Sequence, residues 1–291
     1  MVLPNKPAYH WYGGKAIIAD EVWQHIGNTD NYVEPFLGGG AVLLARPGGA
    51  GTHETINDLD GQVVNFWRAT RSEAERVAEL ACDLAAEVNL LATNRLLYDT
   101  RDLVSALLQD VDFYDVHMGA QWLFGQRLVI GPGWSLRPNA TQFMPRAGRI
   151  PTVEGTLTRL LAIRERIRHV RVLCGGWDRA LKSKTNTTSL GVTGVFLDPP
   201  YLPLGRSTGL YYGDAADNNV ALAVREWALS HGDDPKFRIA MCGYVFEHDG
   251  FFPPSWSRFH WRANGGLANI GRGEGRERAG QECVWFSPHC L

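Results

Sequence analysis

Val195-Phe196-Leu197-Asp198-Pro199-Pro200-Tyr201 is the stretch whose reading decides the fold class. Its first three residues are a short apolar run of the kind that makes a buried strand. Two prolines then stop the strand at once, because neither has an N–H to give a ladder. The chain turns a stiff corner at the carboxyl end of a strand, where open α/β sheets bind their ligands. Asp198 and the Pro199 carbonyl can both accept hydrogen bonds from one planar amino group, and Tyr201 can stack on the ring that carries it. Two acceptors so placed draw a ring-conjugated amino nitrogen toward a tetrahedral shape and free its lone pair. The competing reading is a strand that ends in an ordinary Asp-Pro turn.

Working outward, the segments upstream read as the first half of the same sheet. Tyr32 to Phe36 is a strand that runs into Leu37-Gly38-Gly39-Gly40 and a short apolar helix, Ala41 to Ala45. Strand, glycine loop and helix make the nucleotide-binding βα turn, although the full G-x-G-x-x-G fingerprint is missing. Gly38 and Gly40 would let a ligand approach the backbone closely; an ordinary glycine-rich loop is the alternative. His53 to Ile56 is a second strand ending in Asn57-Asp58-Leu59-Asp60. Asp58 stands about twenty residues past the glycine loop, where an acid binds ribose hydroxyls. Capping of the helix Gly61 to Arg71 is the alternative for Asp58 and Asp60. Ahead of both strands, Trp11-Tyr12-Gly13-Gly14-Lys15 is a glycine turn before a helix from Ala16 to Ile26, a weak anion-site signal.

Between the two halves, Ser72 to Gln109 is helical by period, in two pieces, with Leu80, Leu84, Val88, Leu91, Leu103 and Leu107 as expected core positions. Gly119 to Ile130 is a further apolar helix, and Thr156 to His169 an amphipathic one leading into a strand, Val170 to Cys174. Gly131 to Pro151 is loop-like, and its Arg137, Arg146 and Arg149 are interleaved with Trp134 and Phe143 as in a nucleic-acid contact loop. After the Asp-Pro-Pro-Tyr corner, Leu202 to Asn219 reads as a lid over the site. A helix (Val220 to Ser230) and strands over Arg238 to Cys242, Arg258 to Arg262 and Glu282 to Ser287 complete the chain.

The length of 291 residues and the 45% hydrophobic content allow one large domain, or one carrying an insertion, with a sizeable core. The first thirty residues hold no apolar h-region, and no apolar run is long enough to span a membrane. Five cysteines without a C-x-x-C spacing point to reduced thiols in a cytoplasmic setting, with no metal site. Net charge is −2, but it is unevenly spread. Ten acids face three arginines between Ser72 and His117, whereas eleven bases face three acids between Trp134 and Lys184. Such a basic excess is the footprint of a phosphate-binding surface. On the helix, Arg164 and Arg168 are the expected phosphate contacts. The alternative is an internal match with the acidic helices.

Trp11 to Lys15, Val33 to Gly40, Ile56-Asn57-Asp58 and Asp198 to Tyr201 occur in an order and spacing that resembles the Dam-type adenine-specific DNA methyltransferases, the alpha group with the cofactor motif ahead of the target-recognition insert. The resemblance implies a Rossmann-like seven-stranded sheet, mainly parallel with a reversed last hairpin. It implies a catalytic domain over 1–71 and 170–291, and a helical, DNA-reading insertion over 72–169. It further implies S-adenosylmethionine as cofactor, held by Trp11, Lys15, Glu34, Pro35, Phe36, Gly38, Gly40, Asp58 and Asp198. Double-stranded DNA is the implied substrate, its adenine flipped onto a catalytic corner of Asp198, Pro199, Pro200 and Tyr201. The expected state is a monomer without metal or membrane, and a partner restriction nuclease is left open. Amino-methylation of cytosine in DNA or of adenine in RNA, and an inactive nucleic-acid-binding regulator, are the rival readings.

Overall fold

The computed structural model describes residues 7–11, 13–82, 87–128, 134–138, 152–201, 219–261 and 281–291. Within them run β1 (Asn31–Glu34), β2 (His53–Asp58), β3 (Arg171–Cys174), β4 (Thr193–Leu197), β5 (Phe237–Tyr244), β6 (Ser257–His260) and β7 (Glu282–Phe286). These pair as one sheet in the order β3-β2-β1-β4-β5-β7-β6. The first five are mutually parallel. β7 runs antiparallel to both β5 and β6. This is the mainly parallel α/β sheet with a reversed last hairpin that the sequence reading expects. The chain leaves β1 outward through β2 to β3, then returns to β4 on β1's other side. That reversal opens a crevice at the carboxyl ends of β1 and β4.

The helices are α1 (Ala19–Ile26), α2 (Ala41–Leu44), α3 (Gly61–Leu80), α4 (Glu87–Leu107), α5 (Val116–Leu128), α6 (Val153–Ile167), α7 (Val220–His231) and α8 (Val245–His248). Strand alternation feeds two cores. Phe196, Ala240, Cys242, Val284 and Phe286 face a core built with α1, α2, α3, α5 and α6. Val195, Leu197, Ile239, Met241 and Trp285 face the other, with Val224 and Ala228 of α7. No described helix is long and apolar enough to cross a membrane.

Three local readings are corrected. On α4 the buried apolar positions are Leu90, Leu97 and Val104, followed by Leu108 just past its end, whereas Leu91, Leu103 and Leu107 are exposed. The helix carries leucines on more than one stripe, so period alone selects no face; packing beside α3 and α5 decides it. Leu84 and the side chain of Val88 lie outside the described residues. Trp134 is buried rather than displayed on a contact loop. Its indole lies against Gly125 of α5, where any side chain would overlap it. α3 continues past Arg71 to Leu80 and kinks at Glu73, beside the expected 71/72 boundary.

The basic excess is partly internal. Glu54 of β2 is buried between two buried guanidinium groups. Arg166 Nη1 and Nη2 of α6 lie 2.6 and 2.8 Å from its two carboxylate oxygens, and Arg46 Nη1, just past α2, lies 3.1 Å from Oε1. Arg166 also donates to the Leu43 carbonyl, and Arg46 to the Thr29 carbonyl. One carboxylate thus fastens α6, α2 and the α1–β1 turn onto the sheet. Removing one partner of a buried cluster strands charge in a low-dielectric interior. We predict that Glu54→Gln lowers the unfolding free energy by about 3–5 kcal/mol, the usual cost of breaking a buried pair. Urea titration checks this, and a midpoint equal to the wild type would refute it.

Candidate functional site

The crevice brings together residues from four strand ends and from the segment ahead of α1. Lys15 Nζ donates to Asp198 Oδ2 at 2.8 Å and to the Gly13 carbonyl at 2.7 Å. Lys15 is 6% exposed. Burial works to lower its pKa, but Asp198, with Cys242 and Glu282 adding to it, raises it on balance and holds the ammonium charged. Tyr201 packs its ring 5.2 Å from the same ammonium and donates its hydroxyl to Asp198 Oδ1 at a loose 3.3 Å. Burial first, and Asp198 second, keep that phenol protonated. Asp198 therefore has one firmly occupied oxygen and one weakly occupied oxygen facing Tyr201. Pro199 and Pro200 complete the corner without an N–H between them.

The glycine loop is shaped as much by tryptophan as for a ligand. Gly38 and Gly40 have φ of 46° and 62°, backbone that favours glycine. A Cβ on Gly38 would come within 2.3 Å of Trp11 Nε1, and one on Gly40 within 2.7 Å of the Trp67 ring. The close approach expected of a ligand is thus taken, at these two atoms, by the indoles of Trp11 and Trp67. Tyr9, not singled out in the sequence, ties the loop down by donating to the Gly38 carbonyl and accepting from Trp67 Nε1.

The two acids after β2 divide their work. Asp60 caps α3, its Oδ1 accepting from Gln62 N at 2.8 Å. Asp58 reaches the crevice instead, accepting from Gly38 N at 2.8 Å and from Asp60 N at 2.9 Å. Leu59 N is a third backbone donor to this carboxylate, and the lone-pair capacity left over is what an incoming hydroxyl would use. Burial pushes Asp58 up to about 6 and Asp60 up to about 7. The Pro35 carbonyl accepts from Asn57 Nδ2 at 3.0 Å. Glu34 is buried under α2, its Oε2 accepting from the Tyr32 hydroxyl at 2.9 Å and from Leu43 N at 3.1 Å. Burial pushes Glu34 up to about 8, against those two bonds. Phe36 is half-buried and stacks at 22° on Trp177, ring centres 6.4 Å apart.

Three site neighbours escape sequence reasoning. Trp177 follows β3. Tyr244 ends β5 and meets the Tyr201 ring edge-on, centroids 4.7 Å apart. Glu282 opens β7 directly across from Tyr244. Burial raises its pKa, with Lys15 opposing and Asp198 adding to the rise. All three belong to plain strand ends or turns, so no local pattern marks them. Among the arginines, Arg164 is paired with Glu75 at 2.7 Å, the internal match held open in the sequence reading. Arg168 is 68% exposed, with Glu165 at 3.9 Å. Arg137 is exposed on the stretch whose backbone carbonyls hold Asn94. Tyr12, Arg146, Arg149 and the lid segment 202–218 lie outside the described residues.

Residues 11–117 match the family model of the D12 class N6 adenine-specific DNA methyltransferases. A DNA N-6-adenine-methyltransferase of Escherichia phage P1 is 25% identical over 206 residues, covering 70% of this chain and 25% of that protein. The type II methyltransferase M.MjaIII of Methanocaldococcus jannaschii is 24% identical over 215 residues, 70% of this chain and 71% of that one. The chain thus spans a quarter of the phage relative's length and most of the archaeal one. The resemblance read from the four sequence motifs is borne out by these matches.

Glu34 gives a pH prediction. Between its ordinary 4.5 and about 8, the folded protein carries a proton there that the unfolded chain has lost, so this contribution falls as pH rises through that window. Gln in its place stays neutral and can still accept both bonds. We predict that Glu34→Gln gains stability relative to the wild type as pH rises from about 5 to 8, by at most about 1.4 kcal/mol per pH unit. Thermal unfolding across that range checks it; parallel curves for the two proteins would refute it.

Proposed function

We propose that this chain, matched over residues 11–117 by the D12 class model and similar to two named methyltransferases, transfers the methyl group of S-adenosylmethionine to the exocyclic amino nitrogen of an adenine in DNA. The observation that carries the reading is the Lys15–Asp198–Tyr201 cluster at the carboxyl end of β4, beside the glycine loop of β1. Lys15 occupies Oδ2 of Asp198, which leaves Oδ1 for one amino hydrogen. The Pro199 carbonyl is the second acceptor, and Tyr201 supplies a flat face for the base. These groups act by positioning and by polarising the amine.

The donor set suits the cofactor. Asp58 retains lone pairs for the two ribose hydroxyls, and the Phe36–Trp177 pair offers a flat apolar surface for a purine. When bound, S-adenosylmethionine supplies an electrophilic methyl on a sulfonium. The protein's part is to hold the amine in line with that methyl and keep water out. A duplex hides its amino groups from in-line attack, so the adenine must leave the stack.

Residues 72–169 serve in this reading as the target-reading insertion. Arg137, Arg146 and Arg149 are the arginines assigned to bases or backbone there, and Arg168 to a phosphate. Arg164 joins them only if it leaves Glu75. Salt titration of DNA binding by Arg168→Ala tests the phosphate assignment, since each lost contact flattens the slope by about one unit.

Two substitutions separate chemistry from cofactor binding. Asp198→Ala should abolish methylation, to below about a tenth of the wild-type rate constant; because it also strands the Lys15 ammonium and so costs stability, the assay is run well below the variant's own unfolding midpoint. Asp58→Ala should instead weaken S-adenosylmethionine binding by roughly 1.5–3 kcal/mol, the worth of hydrogen bonds to a charged acceptor. Nucleoside mass spectrometry of treated DNA reads the first and calorimetry the second. N4-methylcytosine as the product, or a labelled methyl found only in RNA, would replace the adenine-in-DNA reading.

A further inference from the structure

Phe246 is a large apolar ring that is 48% exposed beside the site. A lone exposed apolar side chain needs no explanation, but this one is built in. Its ring stacks on Tyr244 at 16° with centroids 5.1 Å apart. Tyr244 in turn meets Tyr201 edge-on at 4.7 Å. Three rings therefore run without a break from the Asp198 corner to the protein surface.

The turn that carries Phe246 is fastened from beneath. Glu247 and His248, the next two residues of the turn, are buried. Glu247 Oε2 accepts from Tyr244 N at 3.2 Å, and Arg225 of α7 donates to the Glu247 carbonyl at 3.0 Å. Val245 N is bonded to the Gln281 carbonyl ahead of β7 at 2.8 Å. His248 packs so closely on Gly243 that a Cβ there would lie 2.3 Å from its ring. With its neighbours locked inward and Tyr244 stacked on it, the Phe246 ring is half exposed on a turn already ordered, which lowers the ordering cost for a ligand that stacks on it.

We infer that Phe246, backed by Tyr244, is a stacking platform for a second, unpaired nucleobase of the substrate. The inference rests on the function proposed above, in which the Tyr201 corner takes the extruded adenine. Extruding one base leaves its former partner unpaired and takes a stacking neighbour from the base on each side of it in its own strand. Each of these presents a π-face to an aromatic side chain. A rigid ring at the lip of the pocket, continuous with the base-holding tyrosine, provides the missing neighbour.

The test uses the full chain and a duplex containing the sequence that the wild type methylates. 2-Aminopurine is placed either opposite the target adenine or beside it on the same strand. Wild-type binding should quench the probe at one of the two positions, which identifies the base that stacks. Phe246→Leu keeps apolar bulk but removes the ring. It should restore that fluorescence, weaken DNA binding about tenfold, the low end of what one base–aromatic stack contributes, and leave S-adenosylmethionine binding and the unfolding midpoint unchanged. Phe246→Trp should bind and quench as the wild type does. Methylation and DNA affinity unaltered in Phe246→Leu would overturn the platform while leaving the proposed function standing. A wild type that neither binds nor methylates DNA would overturn both.

Discussion

The part-buried pair between Lys15 and Asp198 joins residues 183 positions apart in sequence, and the crevice depends on it. Taking an ammonium and a carboxylate out of water costs several kcal/mol per ion, which mutual attraction at 2.8 Å repays only where geometry is good. As a stability device such a pair is no better than two apolar residues. As an orienting device it has no apolar substitute. It fixes which oxygen of Asp198 is spoken for, and it closes the N-terminal segment over the glycine loop. Trp11 then lies on Gly38 and Gly39, where a Cβ would come within 3.0 Å of it.

The same trade recurs around the crevice. Glu34, Asp58, Asp60 and Glu282 all have pKa values raised by burial. Each is an acid kept where the interior disfavours its charge, and each except Glu282 is secured by backbone N–H donors. Stability is supplied elsewhere, by two apolar cores on the two faces of the sheet and by the Glu54 cluster beneath α6. The cost of burying these acids is thus offset by a scaffold whose main stabilisation lies elsewhere.

How much of this is legible from sequence depends on the range of the contact that decides each feature. β1 with its glycine loop, β2 with Asp58, and β4 with the Asp-Pro-Pro-Tyr corner are written locally, in periods and in residues that stop a strand. They appear where the sequence reading puts them, within a few residues. Tyr244, Glu282 and Trp177 reach the crevice only through strand pairing and turns distant in sequence, so they look ordinary until the sheet is assembled. The leucines of α4 fail for a related reason. A helix with apolar residues on two stripes announces its period but not its partner, and only packing against α3 and α5 buries Leu97 and Val104 in preference to Leu103 and Leu107. Asp58 and Asp60 were both legible as acids at a helix start, and the bond to Gly38 N assigns one of them to the crevice.

Charge counting has the opposite weakness, since it sums over residues that never share a surface. The basic stretch from Trp134 to Lys184 includes Arg166, which is spent entirely on Glu54 and Leu43. It includes Arg164, held by Glu75 of the acidic stretch. A guanidinium neutralised inside the protein releases no counterion from DNA, so it adds nothing to the salt dependence of binding. The phosphate footprint is therefore smaller than the eleven-to-three imbalance implies. Under the proposed function, a smaller phosphate footprint gives more weight to stacking of extruded and orphaned bases on rings, which is the part the inference above gives to the aromatic run from Tyr201 through Tyr244 to Phe246.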